Sequence, residues 1–136
     1  MSTAIQSVIS FLEAWQETDE ENKKAFVRLL AYIEGKDDTR LEFIPRPGVS
    51  HSLRAANLYQ KERSLFVLVD VIEAEPRWLS VCFYHDMVTD PKEHGDFLPK
   101  GLMEEDAVCF HLSAYDETLL AYLESRMDEA HQASYD

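Results

Sequence analysis

Between residues 4 and 17, Ile5, Val8, Leu12 and Trp15 recur at spacings of three and four, with Ile9 beside them. That period describes one stripe of an amphipathic helix. Thr18 and Glu21 stand at capping-box spacing, and Asp19, Glu20 and Glu21 place negative charge where a helix N-terminus favours it, so a second helix is predicted from there. It turns Phe26, Leu29, Leu30 and Ile33 inward and ends at Gly35, where a left-handed C-terminal residue is expected.

From residue 41 the period changes to two. LEFIPR (41–46), VSHSLRAANLY (49–59), SLFVLVDVIE (64–73) and WLSVCFYHD (78–86) read as strands separated by short turns, which makes an antiparallel meander the simplest topology. Residues 87–106 hold prolines, glycines and many charges and read as a long polar loop, which leaves three alternatives for the mixed face: open, covered by this loop, or buried against another subunit. AVCFHL (107–112) reads as a fifth strand. Ser113 and Asp116 are alternative N-caps for a last helix with Leu119, Leu120, Leu123, Met127 and Ala130 on its apolar stripe. The expected fold is therefore a single α+β domain over 1–136, with two N-terminal helices, about five strands and one C-terminal helix, the helices on one face of the sheet.

Alternation assigns the two faces. Leu53, Val67, Val69, Val71, Leu79, Val81 and Phe83 form a wholly apolar face, where the helices should dock. The other face mixes polar and aromatic residues, and hairpins closing symmetrically about their turns set Asp70 opposite Arg54 and Ser80. Trp78 and Tyr84 lie on this same face. Arg54, Asp70, Trp78, Ser80 and Tyr84 are thus the candidate contacts for a protein partner or a small ligand, because aromatic and arginine side chains dominate interface energetics. Homodimerisation through the same face is an open alternative.

Composition narrows the classes. Twenty-six acidic against thirteen basic side chains give −13, a field that repels nucleic acid and anionic lipid, and no apolar run approaches membrane-spanning length. Cys82 and Cys109 are expected to be inert buried thiols, and with no apolar leader ahead of them a reducing cytoplasm is the expected compartment. The segment CFYHDMVTDPKEHGDF (82–97) suggests a metal site, but Cys82 and His85 would point to opposite faces of a strand. Cys109 and His111 share a face, with His94 available from the loop. A site of those three is one alternative; a small hydrolase or transferase using Asp70 or a cysteine, with His51 or His85 as base, is another. No phosphate-cradling glycine loop or nucleophile elbow occurs, no cofactor is expected, and a non-catalytic interaction module is the leading reading.

Helices flanking an antiparallel meander, an acidic N-terminal region (Glu13, Glu17, Asp19, Glu20 and Glu21) and a tryptophan on the open face of WLSVCFYHD together resemble the frataxin-like fold. In frataxins the acidic first helix and adjacent strand are associated with iron and with the cysteine desulfurase machinery, so the resemblance implies a metal-handling alternative. Here the acidic residues straddle a break between two helices and the strand tail reads HDMVTDP, which matches neither motif residue for residue. No site is carried over.

Overall fold

The computed structural model describes residues 3–136. Two helices, α1 (Thr3–Ala14) and α2 (Asn22–Glu34), precede six strands: β1 (Thr39–Arg46), β2 (Ser50–Asn57), β3 (Val67–Ile72), β4 (Trp78–Tyr84), β5 (Asp96–Leu102) and β6 (Glu105–Leu112). Helix α3 (Glu117–Ala133) ends the chain. All pairings are antiparallel, in the order β1-β2-β3-β4-β6-β5. The expected α+β layering holds, with six strands rather than five and with β6 inserted beside β4, so the sheet is not a plain meander.

The face assignment follows strand parity. Leu53, Val67, Val69, Val71, Leu79, Val81 and Phe83 are completely buried and share one core with Phe26, Leu29 and Ile33 of α2 and Leu120, Leu123 and Met127 of α3. Each such side chain contributes about 1.5–3 kcal/mol by leaving water. The ion pairs joining α2 to α3, Arg28 with Glu124 and Glu117, and Lys36 with Asp128, are worth at most about 1 kcal/mol each where exposed. The apolar face therefore holds the layers together, and the ion pairs fix how the two helices sit.

Helix α1 lies over the β1 edge of the sheet and buries only Val8 within its span. Its far end is held by aromatic contacts: Phe11 against His51 and Phe43, and the Arg77 guanidinium over both Phe11 and Trp15. His51 Nε2 and Arg77 converge on Glu73 at 2.9 and 2.7 Å, which ties that aromatic group to β2 and to the β3–β4 turn.

Three local expectations are corrected. Helix α2 starts at Asn22, not at Thr18, because Glu21 adopts a left-handed backbone (φ 58°) and makes no side-chain cap. Glu17 supplies the cap instead, accepting from the backbone N–H groups of Lys23 and Lys24 at 3.1 and 2.9 Å. Gly35 is right-handed at φ −76°, so its N–H closes the last turn without needing glycine's freedom. At α3 the choice of caps resolves to Asp116, whose carboxylate accepts from Leu119 N–H at 3.1 Å.

Replacing Glu17 with Ala should cost about 1 kcal/mol, the usual worth of a helix cap, seen as a lower urea midpoint with an unchanged slope. An unaltered midpoint would show that the two N–H groups are equally well served by water.

Candidate functional site

The face away from the helices is built row by row. Pairing of β3 with β4 sets Ile72 opposite Trp78, Asp70 opposite Ser80 and Leu68 opposite Cys82, as the alternation predicts. Pairing of β2 with β3 is displaced by two residues from symmetric closure. Ser52, not Arg54, faces Asp70, and Arg54 faces Leu68. The cause lies in the connection. Asn57 accepts from Tyr59 and Gln60 N–H, and Gln60 Nε2 reaches back to Leu65 C=O, so β2 stops at Asn57 and a nine-residue link (58–66) replaces the short turn. A shift of two leaves every side chain on its expected face.

The expected facing of Arg54 and Asp70 is thereby replaced. Asp70 accepts a hydrogen bond from the Ser52 hydroxyl. Arg54 stands 4.0 Å from Glu42 on β1, and its Nε is buried without a partner. Ser52 and Ser80 are small and buried, whereas Leu68, Asp70, Ile72 and Trp78 are half-exposed around them. Trp78 meets the His111 ring edge-on, centroids 5.2 Å apart. His111 in turn lies 3.9 Å from Asp96 on β5. Ser52 as the partner of Asp70 escaped the sequence reading, because only the length of the 58–66 link would have given it away.

The other end of this face is closed. Tyr84, expected to be available for contact, is 1% exposed and packs with Leu65, Leu102, Ala107, Cys82 and Cys109 in a second, smaller core. The Arg63 guanidinium lies 4.3 Å over its ring while pairing with Asp86 and Glu105 at 2.5 and 2.9 Å. Burial, then the nearby Glu105 charge, pushes the Tyr84 phenol above its ordinary value. Tyr84 is thus a structural residue here.

Residues 87–106 do not roof the Asp70 row. Asp90 in this segment accepts from the Tyr122 hydroxyl and from the N–H groups of His94 and Gly95, and Thr89 bonds Glu129, so the loop leans on α3 on the helix side. The remainder forms the edge strand β5. A covering segment would need to come from outside this fold.

Nor do the proposed metal ligands converge. His94 packs against Tyr122 beside α3, His111 points from the open face, and Cys109 is bonded to Cys82 in a cross-strand disulfide, Cα atoms 4.2 Å apart. Among the described residues no group of three His, Cys, Asp or Glu side chains is placed to hold an ion. Where the sequence reading had two separate buried cysteines, the structure sets them as bonded cross-strand neighbours, and in the bonded form neither is a nucleophile. His51 stacks on Phe43 and packs at a tilt against Phe11 beneath the helices, and His85 packs edge-on to Phe97. The acidic residues have structural partners in part: Glu17 caps α2, Glu105 binds Arg63, and Asp106 accepts from Lys100 N–H. A cavity of about 470 Å³ opens between α1 and the β1–β2 edge, lined by Phe11, Phe43, Pro45 and His51, and none of the Asp70 row lines it.

Compared with protein-family models, with curated proteins and with solved structures, the chain matches none of them. The frataxin likeness accordingly stays one of layout, and the geometry alone speaks for function. Among the described residues no helix is long and apolar enough to cross a membrane.

The Arg63 hydrogen bonds hold the Asp86 carboxyl below its ordinary 3.8, outweighing the opposing effect of partial burial. A lowered folded-state pKa means the stabilisation is complete above the ordinary, unfolded-state value and is lost as pH falls from there through the folded-state value. Urea midpoints should therefore fall between about pH 5 and about pH 2, with a shallower fall in an Arg63→Met variant. Equal pH slopes in the two proteins would refute this account.

Proposed function

We propose that this protein is a non-catalytic interaction module that engages a protein partner through the open half of its sheet, with Trp78, Arg54 and Asp70 as central contacts and Leu68, Ile72 and Ser80 around them. The observation carrying this reading is the bare face itself: half-exposed Leu68, Ile72 and Trp78 beside a buried, unpartnered Arg54 Nε, with the 87–106 segment turned away to α3. Aromatic and arginine side chains at the centre of a patch are the usual carriers of binding energy. A flat, unroofed surface suits another macromolecule better than a small ligand, which needs a concave site burying most of its area. The −13 charge argues against a nucleic acid partner.

A photo-crosslinking amino acid at position 68 should yield a defined adduct in cells, and the same probe at exposed Val27 on α2 should not. Trp78→Glu should weaken that association about 30-fold or more, as for a central hot-spot residue. Equal adducts at both positions, or indifference to Trp78→Glu, would remove the basis for this reading.

The compartment we propose is the cytoplasm, where Cys82 and Cys109 would be thiols, since cytoplasmic reductants keep most cysteine pairs reduced. Alkylation of freshly lysed cells under denaturing conditions should then label both cysteines. A fully unlabelled pair would instead assign the protein to an oxidising compartment, with the cross-strand bond as its working state.

A further inference from the structure

Cys82 and Cys109 face each other across the β4–β6 ladder, with Ser80↔His111 and Val81↔Phe110 on one side of them and Phe83↔Val108 and Tyr84↔Ala107 on the other. Their Cα atoms are 4.2 Å apart, close to the spacing of about 4.5 Å usual for a non-hydrogen-bonded antiparallel pair. The ladder therefore holds the two sulfurs side by side whether or not they are bonded, and neither form asks for a new register. On the helix side Val108, Phe110 and Leu112 of β6 belong to the main core, so breaking the bond leaves the sheet assembled. On the open side the bond lies in the small core, where Leu102, Ala107 and Cys109 of the β5–β6 hairpin meet Cys82 and Tyr84 of β4 and Leu65 of the 58–66 link. Strand β5 stands at the sheet edge beyond β6, so the hairpin joins the sheet through the β4–β6 ladder.

We infer that Cys82 and Cys109 form a reversible thiol–disulfide switch, operated by a small-molecule disulfide such as oxidised glutathione, that staples the β5–β6 hairpin to β4 and shuts the Tyr84 end of the open face. The inference goes beyond the reading of that face as a partner surface and does not depend on it. A bond in a reducing compartment is ordinarily transient or redox-sensing, which suits a pair proposed to rest as thiols.

Oxidation runs in two exchanges. Cys82 gives its proton to water and attacks one sulfur of the external disulfide, whose other half leaves as a thiolate and takes up a proton. Cys109 then loses its proton and attacks the Cys82 sulfur of the mixed disulfide, releasing the second half in the same way. Two electrons and two protons pass in all from the cysteines to the external disulfide, which becomes two thiols, and two such thiols reverse the sequence. Cys82 is the entering residue for two reasons. It keeps 6% exposure against 2% at Cys109, and Ser80 Oγ lies 3.6 Å from its sulfur, where the hydroxyl can donate to a thiolate. Folding has already closed the 27-residue separation between the cysteines, so the second exchange joins groups held in contact.

The test places the full chain in buffers of reduced and oxidised glutathione at neutral pH, quenches with acid, alkylates, and reads the products by mass spectrometry. Starting from either form, the folded chain should converge on one ratio of dithiol to disulfide in each buffer. A pair that never bonds, never opens, or exchanges only at the rate of global unfolding would overturn the switch. Cys109→Ala should trap a glutathione adduct on Cys82 at least about tenfold faster than Cys82→Ala traps one on Cys109, because access governs the rate. Equal rates would overturn Cys82 as the entering residue. Hydrogen exchange on the native chain needs no variant: going from disulfide to dithiol should speed the amides of 102–109 at least about tenfold more than those of β2, as local opening requires. An equal change in both segments would overturn the staple.

Discussion

The structure depends on one constraint: successive side chains of a strand point to opposite faces, so a sheet with apolar residues concentrated on one face must cover that face or lose the fold. Here Val67, Val69 and Val71 of β3, with Leu53, Leu79, Val81 and Phe83 beside them, are covered by α2 and α3. The three helices have no other deep surface to bury, and the sheet has no other wholly apolar one. Placing all helices on one side therefore follows from counting apolar faces. It also leaves the second face bare along part of its length, and the proposed partner surface rests on that asymmetry.

The bare face is divided by chemistry into two unequal parts. At one end Tyr84, Leu65, Leu102, Ala107 and the Cys82–Cys109 pair form a small closed core under Arg63. This core needs the 58–66 link and the β5–β6 turn to complete it, so it consumes the aromatic residue that alternation alone would present to a partner. At the other end Ser50, Ser52 and Ser80 are too short to rise above the backbone. They leave a shallow floor from which Leu68, Ile72, Trp78 and Arg54 project. The difference between a structural tyrosine and an available tryptophan thus comes from which loop lies over each, not from the strands that carry them.

Parity and register were unequally legible in the chain. Apolar alternation identifies the face of every β2–β4 residue, because moving a strand by one position would bury Asp70 among valines, a cost of several kcal/mol for an unpaired charge. Moving it by two costs almost nothing in side-chain terms, so no pattern of polarity distinguishes Arg54 from Ser52 as the neighbour of Asp70. That choice fell to the Asn57–Gln60 hydrogen bonds, which polarity patterns do not reveal. Strand β5 was hidden for a different reason. DFLPKGL carries Pro99 and Gly101, its register shifts between Leu98 and Leu102, and Lys100 takes a left-handed backbone at φ 57°. An edge strand tolerates such breaks because only one side of it is bonded. The small residues nearby have a packing reason: a side chain at Gly95 would meet Val108 at 2.6 Å, and one at Gly101 would meet Leu98 at 2.6 Å.

The placement of charge completes the argument. A protein of −13 that exposed an apolar ridge within an acidic surface would repel most protein surfaces, themselves rich in carboxylates, before the ridge could touch them. Here the three arginines that flank the ridge all lie on β1 and β2, at positions whose parity keeps them off the helix side. Arg54 is the most constrained of them: it pairs with Leu68 across the strands, its Nε is buried, and Glu42 at 4.0 Å is too distant for a hydrogen bond. A guanidinium held so has already lost part of its side-chain entropy and part of its hydration, so an added hydrogen bond to its outer nitrogens would carry less of the usual ordering cost.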